Sequence, residues 1–227
     1  SLLHLNENYK KFIDSGVNEL QVSIDGADKR TFEAIRTGAV FEKIKENCKL
    51  LNGYCKEVGV ERTKMWTVVQ QTNIHQLNDL VIFAEQVGFQ SQVFSLDLTD
   101  WGQKEWRRTH DREHQITGID FETGWKLVED GKSRGIKVAF WNIADKYNQA
   151  TPDNLCPWPF ERAYIGSDMR VVPCCMIANP DVMEMGQMTG SFTELWHGEA
   201  YVSLRRDHIN GDVPEVCQGC YAQNKNL

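Results

Sequence analysis

No window of the 227-residue sequence approaches ~18 consecutive apolar residues, and mean hydropathy is −0.48, which excludes a membrane-spanning helix. Positive charge is in deficit: 25 Lys and Arg stand against 32 Asp and Glu, for a net charge of −7 and a pI near 5.4. General nucleic-acid binding needs a basic face, so that function class is set aside. Internal repeats and low-complexity tracts are absent. Disorder, collagen and coiled coil are excluded by ten Phe, seven Trp and six Tyr, which require a packed interior. The sequence opens on Ser1, with neither Met nor a signal-peptide pattern. Seven cysteines, an odd number at uneven spacing, make a poor disulfide framework. A reducing, cytoplasmic setting is therefore expected, with thiols either buried or metal-bound.

What is present alternates between helical and extended signals over the first half. Asn6 is placed to cap a helix carrying Tyr9, Phe12 and Ile13, which Gly16 stops. The β-rich run Leu20 to Ile24 follows and ends in Asp25-Gly26. Phe41, Ile44, Cys48, Leu51, Cys55 and Val58 recur at steps of three and four on a second helix closing at Gly59. Met65 to Val69 reads as the next strand, and Leu77, Leu80, Val81, Ala84 and Val87 stripe a third helix closed by Gly88. Gln92 to Leu96 is another strand. This order predicts α/β crossover units and a parallel sheet, its strands nearly continuous apolar runs covered on both faces. Residues 99–118 are polar, after which a helix with Phe121, Trp125 and Val128 and a strand from Ile136 to Trp141 are expected. Beyond Thr151-Pro152 the chain becomes rich in cysteine. The reading is three segments: 1–98 as α/β units, 99–155 connecting with one helix and one strand, and 156–227 as a separate small domain.

The cysteines fall into two kinds. Cys48 and Cys55 share a helical stripe about 10.5 Å apart by helical rise, too far for a disulfide or one mononuclear metal. They read as buried hydrophobes. Cys156, Cys174, Cys175, Cys217 and Cys220 gather in the tail. In Cys217-Gln-Gly-Cys220 the two-residue gap lets both thiolates reach one centre, with Gly219 permitting a tight turn. Cys156 lies in Cys-Pro-Trp-Pro, expected to be stiff and extended. Cys174 and Cys175 end a hairpin built from Ala163-Tyr164-Ile165, a Gly-Ser-Asp turn and Arg170 to Pro173. Neighbours on a strand point opposite ways, so one of the two should face a given site. Four thiolates suit a [4Fe–4S] cluster or a tetrahedral zinc. A zinc ribbon normally brings two CxxC knuckles, and this sequence has one.

These residues resemble a known family. Gly16 to Ala27, with Thr31-Phe32-Glu33-Ala34-Ile35-Arg36 and Phe41-Glu42-Lys43-Ile44, is similar to the middle of a radical SAM barrel. The tail resembles the auxiliary-cluster domain called SPASM, or its shorter twitch form. Its elements stand as Cys156-Pro157-Trp158, Ile165, Val171-Val172-Pro173-Cys174-Cys175, Gly186, Leu195-Trp196, Leu204-Arg205 and Cys217-x-x-Cys220. The family's CxxxCxxC motif is absent from the 227 residues, and the sequence looks like a member missing its first third. The glycine expected in the hairpin turn is Met169.

The resemblance implies part of a (β/α) barrel followed by a small iron–sulfur domain. It implies a radical SAM oxidoreductase or modifying enzyme that cleaves S-adenosylmethionine reductively and abstracts hydrogen from a peptide or small-molecule substrate. An electron donor such as flavodoxin or ferredoxin goes with that chemistry. Cys156, Cys174, Cys217 and Cys220 are the implied ligands of an auxiliary [4Fe–4S] cluster, a second [4Fe–4S] belonging to the full-length protein. Ser23 and Asp25, ending the first strand, match polar residues that face S-adenosylmethionine, as barrel sites generally lie at strand C-termini. Arg36 matches an arginine near the cofactor's carboxylate, an anion its guanidinium suits. Gln70 and Asp97 end later strands and read mainly as loop residues. His110 and His114, four apart, would share a helix face but lie within a charged, solvated segment. The rival readings are a zinc-stabilised binding module and a degenerate, non-catalytic scaffold.

Overall fold

A computed structural model describes residues 5–97, 102–103, 105, 114–142, 147 and 154–221. The chain divides into two units, one of residues 1–98 with 111–141 and the other of 99–110 with 142–227. Among the described residues no helix is long and apolar enough to cross a membrane.

The first unit has the expected α/β architecture. Strands β1 (Leu20–Ser23), β2 (Thr63–Val68), β3 (Ser91–Ser95) and β4 (Lys137–Trp141) form one parallel sheet in chain order. Around it lie α1 (Asn8–Asp14), α2 (Lys29–Ile35), α3 (Phe41–Glu57), α4 (Leu77–Gln86) and α5 (Phe121–Ser133). Strand register puts Val22, Met65, Gln92 and Val138 in one cross-strand row. Because side chains alternate, the next row on that face runs through Thr67, Phe94 and Phe140. Met65 and Phe94 join the main core with Phe32, Phe41, Leu80, Val81 and Ala84. The opposite face carries Ser23, Trp66, Val93 and Ala139 in register, and the Trp66 and Trp141 rings meet there at 5.7 Å. The strands are not covered on both faces throughout, as their composition suggests. β3 is buried almost along its length, whereas β1, β2 and β4 keep less buried positions along one or both faces.

Two helices differ from the sequence reading. Asn6 does not cap α1: it sits in a preceding 3-10 turn with φ 49°, Glu7 occupies the N-cap position, and Phe12 is exposed. In α5 the large aromatics face outward, Phe121 at 85% exposure and Trp125 at 56%, stacked on each other with centroids 6.2 Å apart. The buried stripe is Leu127 and Gly131. A Cβ on Gly131 would come within 2.4 Å of Val138 Cγ2, and one on Gly124 would touch the Phe140 ring at 3.6 Å. The helix approaches β4 through glycines, which apolar periodicity does not register. Cys48 lies in the main core and Cys55 packs with Ile13 and Leu51; burial pushes both thiols up, Cys48 to about 12.

The second unit is built from short pieces. These are α6 (Trp158–Glu161), an antiparallel sheet of β5 (Tyr164–Ile165), β6 (Arg170–Val172) and β7 (Gly186–Gln187), then α7 (Phe192–Trp196) and α8 (Glu199–Asn210). Ser191 caps α7, its Oγ accepting from the Glu194 N–H. The β5–β6 connection is a turn in which Met169 N–H donates to Gly166 O (3.0 Å) and Gly166 N–H to Arg170 O (2.9 Å). Met169, at φ 65°, holds the left-handed position that normally selects glycine in such a loop. Val171, Met185, Tyr201 and Leu204 form the core.

Two of the helix glycines, Gly53 and Gly131, should respond in opposite directions. Gly53, inside α3 with open space at its Cβ position, gains helix propensity as Ala, and Gly53→Ala should stabilise by about 0.5–1 kcal/mol. Gly131→Ala should instead cost about 1–3 kcal/mol through the Val138 clash. Urea unfolding of both variants measures the difference.

Candidate functional site

In the second unit a cavity of about 40 Å³ is lined by Cys156, Cys174, Cys217 and Cys220, but not by Cys175. Each thiol arrives by a different local device. Cys156 precedes α6, and its backbone N–H donates to the Tyr221 hydroxyl at 2.9 Å. The segment is not extended as its prolines suggest: Pro157 and Pro159 occupy the helix start, where a missing N–H costs nothing. Cys174 is extended (φ −161°, ψ 166°) just after β6 ends, and Cys175 opens a 3-10 turn, Cys175–Ile177. The two are separated by that change of backbone and not by strand alternation. Cys217 and Cys220 lie in the 3-10 helix Glu215–Cys220. Positions i and i+3 eclipse in a 3-10 helix, so both thiols leave the same side. Gly219 keeps an ordinary negative φ, so the CxxC spacing does not depend on a glycine turn.

The remaining lining is mostly apolar, including Trp158, Met176, Ile177, Leu204 and Val216. Burial pushes the Cys174 and Cys217 thiols up to about 12. The neighbouring thiols add to this, Cys174, Cys156 and Cys220 acting on Cys217. Soft donors in an apolar shell fit a thiophilic metal group, whose charge would draw the protons off them. Among the described residues no three His, Cys, Asp or Glu side chains converge closely enough for a single metal ion.

The structure gives site roles to two residues of α8 that the sequence reading left without one. His208, buried on α8, lines the cavity, and its Nδ1 lies 3.1 Å from Leu204 O. Burial lowers its pKa, so the ring is neutral at pH 7. Arg205 on the same helix donates from Nε to Pro159 O (2.8 Å) and from Nη2 to Trp196 O (2.6 Å). The detectable signal was Tyr201, Leu204, Arg205 and His208 at steps of three and four, one inward stripe of α8.

In the first unit, Asp25 and Arg36 are brought together. Asp25 Oδ2 accepts from Arg36 Nε at 2.6 Å and Oδ1 from the Val68 N–H at 2.8 Å. Only 3% of Asp25 is exposed, and burial raises its carboxyl pKa against the opposing pull of Arg36 and the Val68 N–H. Asn73 Nδ2 donates to both Asp25 O and Val68 O, tying the ends of β1 and β2 together. Gly26 is required there, because a Cβ would sit 2.4 Å from Phe32 N. Ser23 is exposed at the end of β1, whereas the Arg36 side chain is partly accessible. Gln70 N–H donates to Asn73 Oδ1, and Asp97 O accepts from Ser95 Oγ (3.4 Å). His110 lies outside the described residues; the backbone carbonyl of His114 accepts from Gln71 N–H.

Asp25→Ala removes the acceptor for two groups and should cost about 2 kcal/mol by urea unfolding. Asp25→Asn, which keeps an oxygen for the Val68 N–H, should cost less than half of that.

Residues 156–221 match the family described as SPASM, an iron–sulfur cluster-binding domain. No curated protein sequence matches the chain. Among solved structures, native anSMEcpe with bound AdoMet matches with a TM-score of 0.52 at 12% identity, over 99% of this chain and 66% of that one. Native anSMEcpe with bound AdoMet and Kp18Cys peptide gives 0.52 at 13% identity, over 98% and 66%. The chain therefore spans just under two thirds of the length of these structures, and at such identity the likeness speaks for the fold alone. Residues 156–221 thus carry an iron–sulfur domain match, in a chain whose fold is similar to that of the AdoMet-bound anSMEcpe structures.

Proposed function

We propose that the chain is part of a radical SAM enzyme whose auxiliary [4Fe–4S] cluster is held by Cys156, Cys174, Cys217 and Cys220. The observation that carries this reading is the convergence of those four thiols on one small, mostly apolar cavity inside the iron–sulfur-matched residues. When bound, the group would supply one-electron chemistry near the substrate. The chain's own residues hold and insulate it. Tyr221 fixes the backbone at Cys156, Arg205 joins α6 to α7, and the apolar wall keeps water away.

In the first unit, Ser23 and Arg36 are proposed to contact S-adenosylmethionine at the C-terminal end of β1. Asp25 has both oxygens engaged and acts through Arg36, turning the guanidinium and leaving its other N–H groups for a carboxylate. The proposed reaction is reductive cleavage of S-adenosylmethionine and hydrogen abstraction from a peptide or small molecule, with flavodoxin or ferredoxin as electron donor. The anSMEcpe structure holding AdoMet and a peptide supports the peptide alternative. The zinc reading is less well supported. The matched family is described as an iron–sulfur cluster-binding domain, which favours the cluster over zinc.

Anaerobic reconstitution with iron and sulfide tests the site. The chain should take up about four irons and absorb near ~400 nm, as thiolate-bound iron–sulfur centres do. Alanine at Cys156, Cys174, Cys217 or Cys220 should lower iron content, whereas Cys48→Ala, Cys55→Ala and Cys175→Ala should retain it. Stoichiometric zinc with no sulfide would overturn the reading.

The chain alone should form no 5′-deoxyadenosine from S-adenosylmethionine and dithionite. Four thiolates leave no open iron for the cofactor's amino-acid end, and CxxxCxxC is absent from these residues. Turnover detected by chromatography would make the tail cluster the catalytic one.

A further inference from the structure

Lys49, Gly53 and Lys56 follow one another on α3 at steps of four and three, so they share one helix face. All three border a cavity of about 510 Å³ in the first unit, a volume that suits a small organic molecule. Its floor is apolar and buried, made by Cys55, Val87, Phe89 and Ile136. Thr63, Gln90 and Ile136 lie at or just before the starts of β2, β3 and β4, so the cavity is at the end of the sheet away from Ser23 and Asp25. Two observations there are left over by folding. The first is charge. Arg134, the third cation of the lining, is held by Glu85 and Asp130, each at 2.8 Å. Glu85 is the one carboxylate of the lining among the described residues, and that pairing neutralises it. Lys49 and Lys56 form no ion pair among the described residues. The end of α3 favours a cation at Lys56. Lys49 lies about two turns earlier, with Lys45 and Gly53 at the positions where a helical carboxylate partner would stand. The second is Gly53 itself. A glycine inside a 17-residue helix weakens it, and packing does not require one here, because nothing lies within 4 Å of the Cβ position. The space that a side chain would fill is the stretch of cavity flanked by the two lysines.

We propose that this cavity binds a phosphorylated small molecule, its phosphate over Gly53 between the Lys49 and Lys56 ammonium groups and its body on the apolar floor. A backbone without a Cβ lets a ligand approach the helix closely. A phosphate dianion matches two ammonium point charges, each with N–H groups to donate. The exposed amides of Gln86 and Gln90, also in the lining, can bond hydroxyl or base groups of the body. In a chain of net charge −7, two unpaired cations around one apolar cavity are a local exception. The site shares no residue with the thiol cavity or with the Asp25–Arg36 pair.

Calorimetric titration of the 227-residue chain tests the proposal with AMP, glycerol phosphate and inorganic phosphate, adenosine and glycerol serving as neutral counterparts. AMP or glycerol phosphate should bind, more tightly than inorganic phosphate, and the neutral compounds should not. Lys49→Gln and Lys56→Gln should each weaken that binding about tenfold, through loss of one charge-assisted hydrogen bond. Lys126→Gln, which removes an exposed lysine of α5 outside the lining, should leave it unchanged. Gly53→Ala should melt higher than wild type without ligand and yet bind more weakly, which separates occlusion of the site from damage to the fold. Failure of both AMP and glycerol phosphate to bind overturns the proposal. So does binding that adenosine or glycerol reproduces, or that Lys49→Gln, Lys56→Gln and Gly53→Ala leave unaltered. Binding of inorganic phosphate alone overturns it as well, leaving an adventitious ion only.

Discussion

The Arg205 guanidinium is the point at which the short elements of the second unit are joined. The strands there are two or three residues long, and α6 has only four. Elements of that length cannot hold themselves by their own backbone ladders. From α8, Arg205 binds the carbonyl of Pro159 in α6 and that of Trp196 at the end of α7, while its flat face lies 4.5 Å from the Trp196 ring centre. Three helices are thereby fixed to one another around one side chain. Cys156 stands immediately before the first of these, and the third contributes Leu204 and His208 to the thiol cavity. The cavity's shape is inherited from this clamp.

A comparable economy operates in the first unit, with an acid in place of a base. Asp25 and Asn73 take up the backbone groups that β1 and β2 leave unpaired at their ends. Asp28 caps α2 through Thr31 N–H, and Gln76 bonds both to that carboxylate and to Ala27 N–H. The loop after β1 is thereby tied to β2 and to the start of α4, beside the Asp25–Arg36 pair. Such tethering at the end of a barrel-type strand favours precise placement of a ligand.

The sequence made the parallel sheet legible because three helices ended in glycine between β-rich runs, and Gly59, Gly88 and Gly135 all have positive φ. It placed α5 but not its packing face, which is Leu127 with Gly124 and Gly131 against β4 while Phe121 and Trp125 face out. At the cysteines, strand alternation implied that one of Cys174 and Cys175 faces the site and the resemblance named Cys174, yet the chain separates them by switching from extended backbone to a 3-10 turn. Two dissimilar geometries leave the same thiol on the cavity, so composition could suggest the outcome without its cause. Arg205 and His208 were given no site role because their spacing is that of any amphipathic helix. What sets them apart is the wall they pack against.

The left-handed Met169 has a consequence beyond the turn that contains it. The extra residue it inserts fixes how β6 runs alongside β5, pairing Val171 with Ile165 and Val172 with Tyr164. A slip of one residue in that alignment would turn every following side chain to the other face. Cys174, extended just beyond β6, takes its place from that alignment, so the hairpin acts as an indexing device for the thiols downstream. Shortening the loop by a residue would advance Cys175 to the place where Cys174 meets the cavity, exchanging one sulfur for another without altering the protein's composition of thiols. A half-exposed methionine with no contact to make at the cavity thus selects which sulfur enters it.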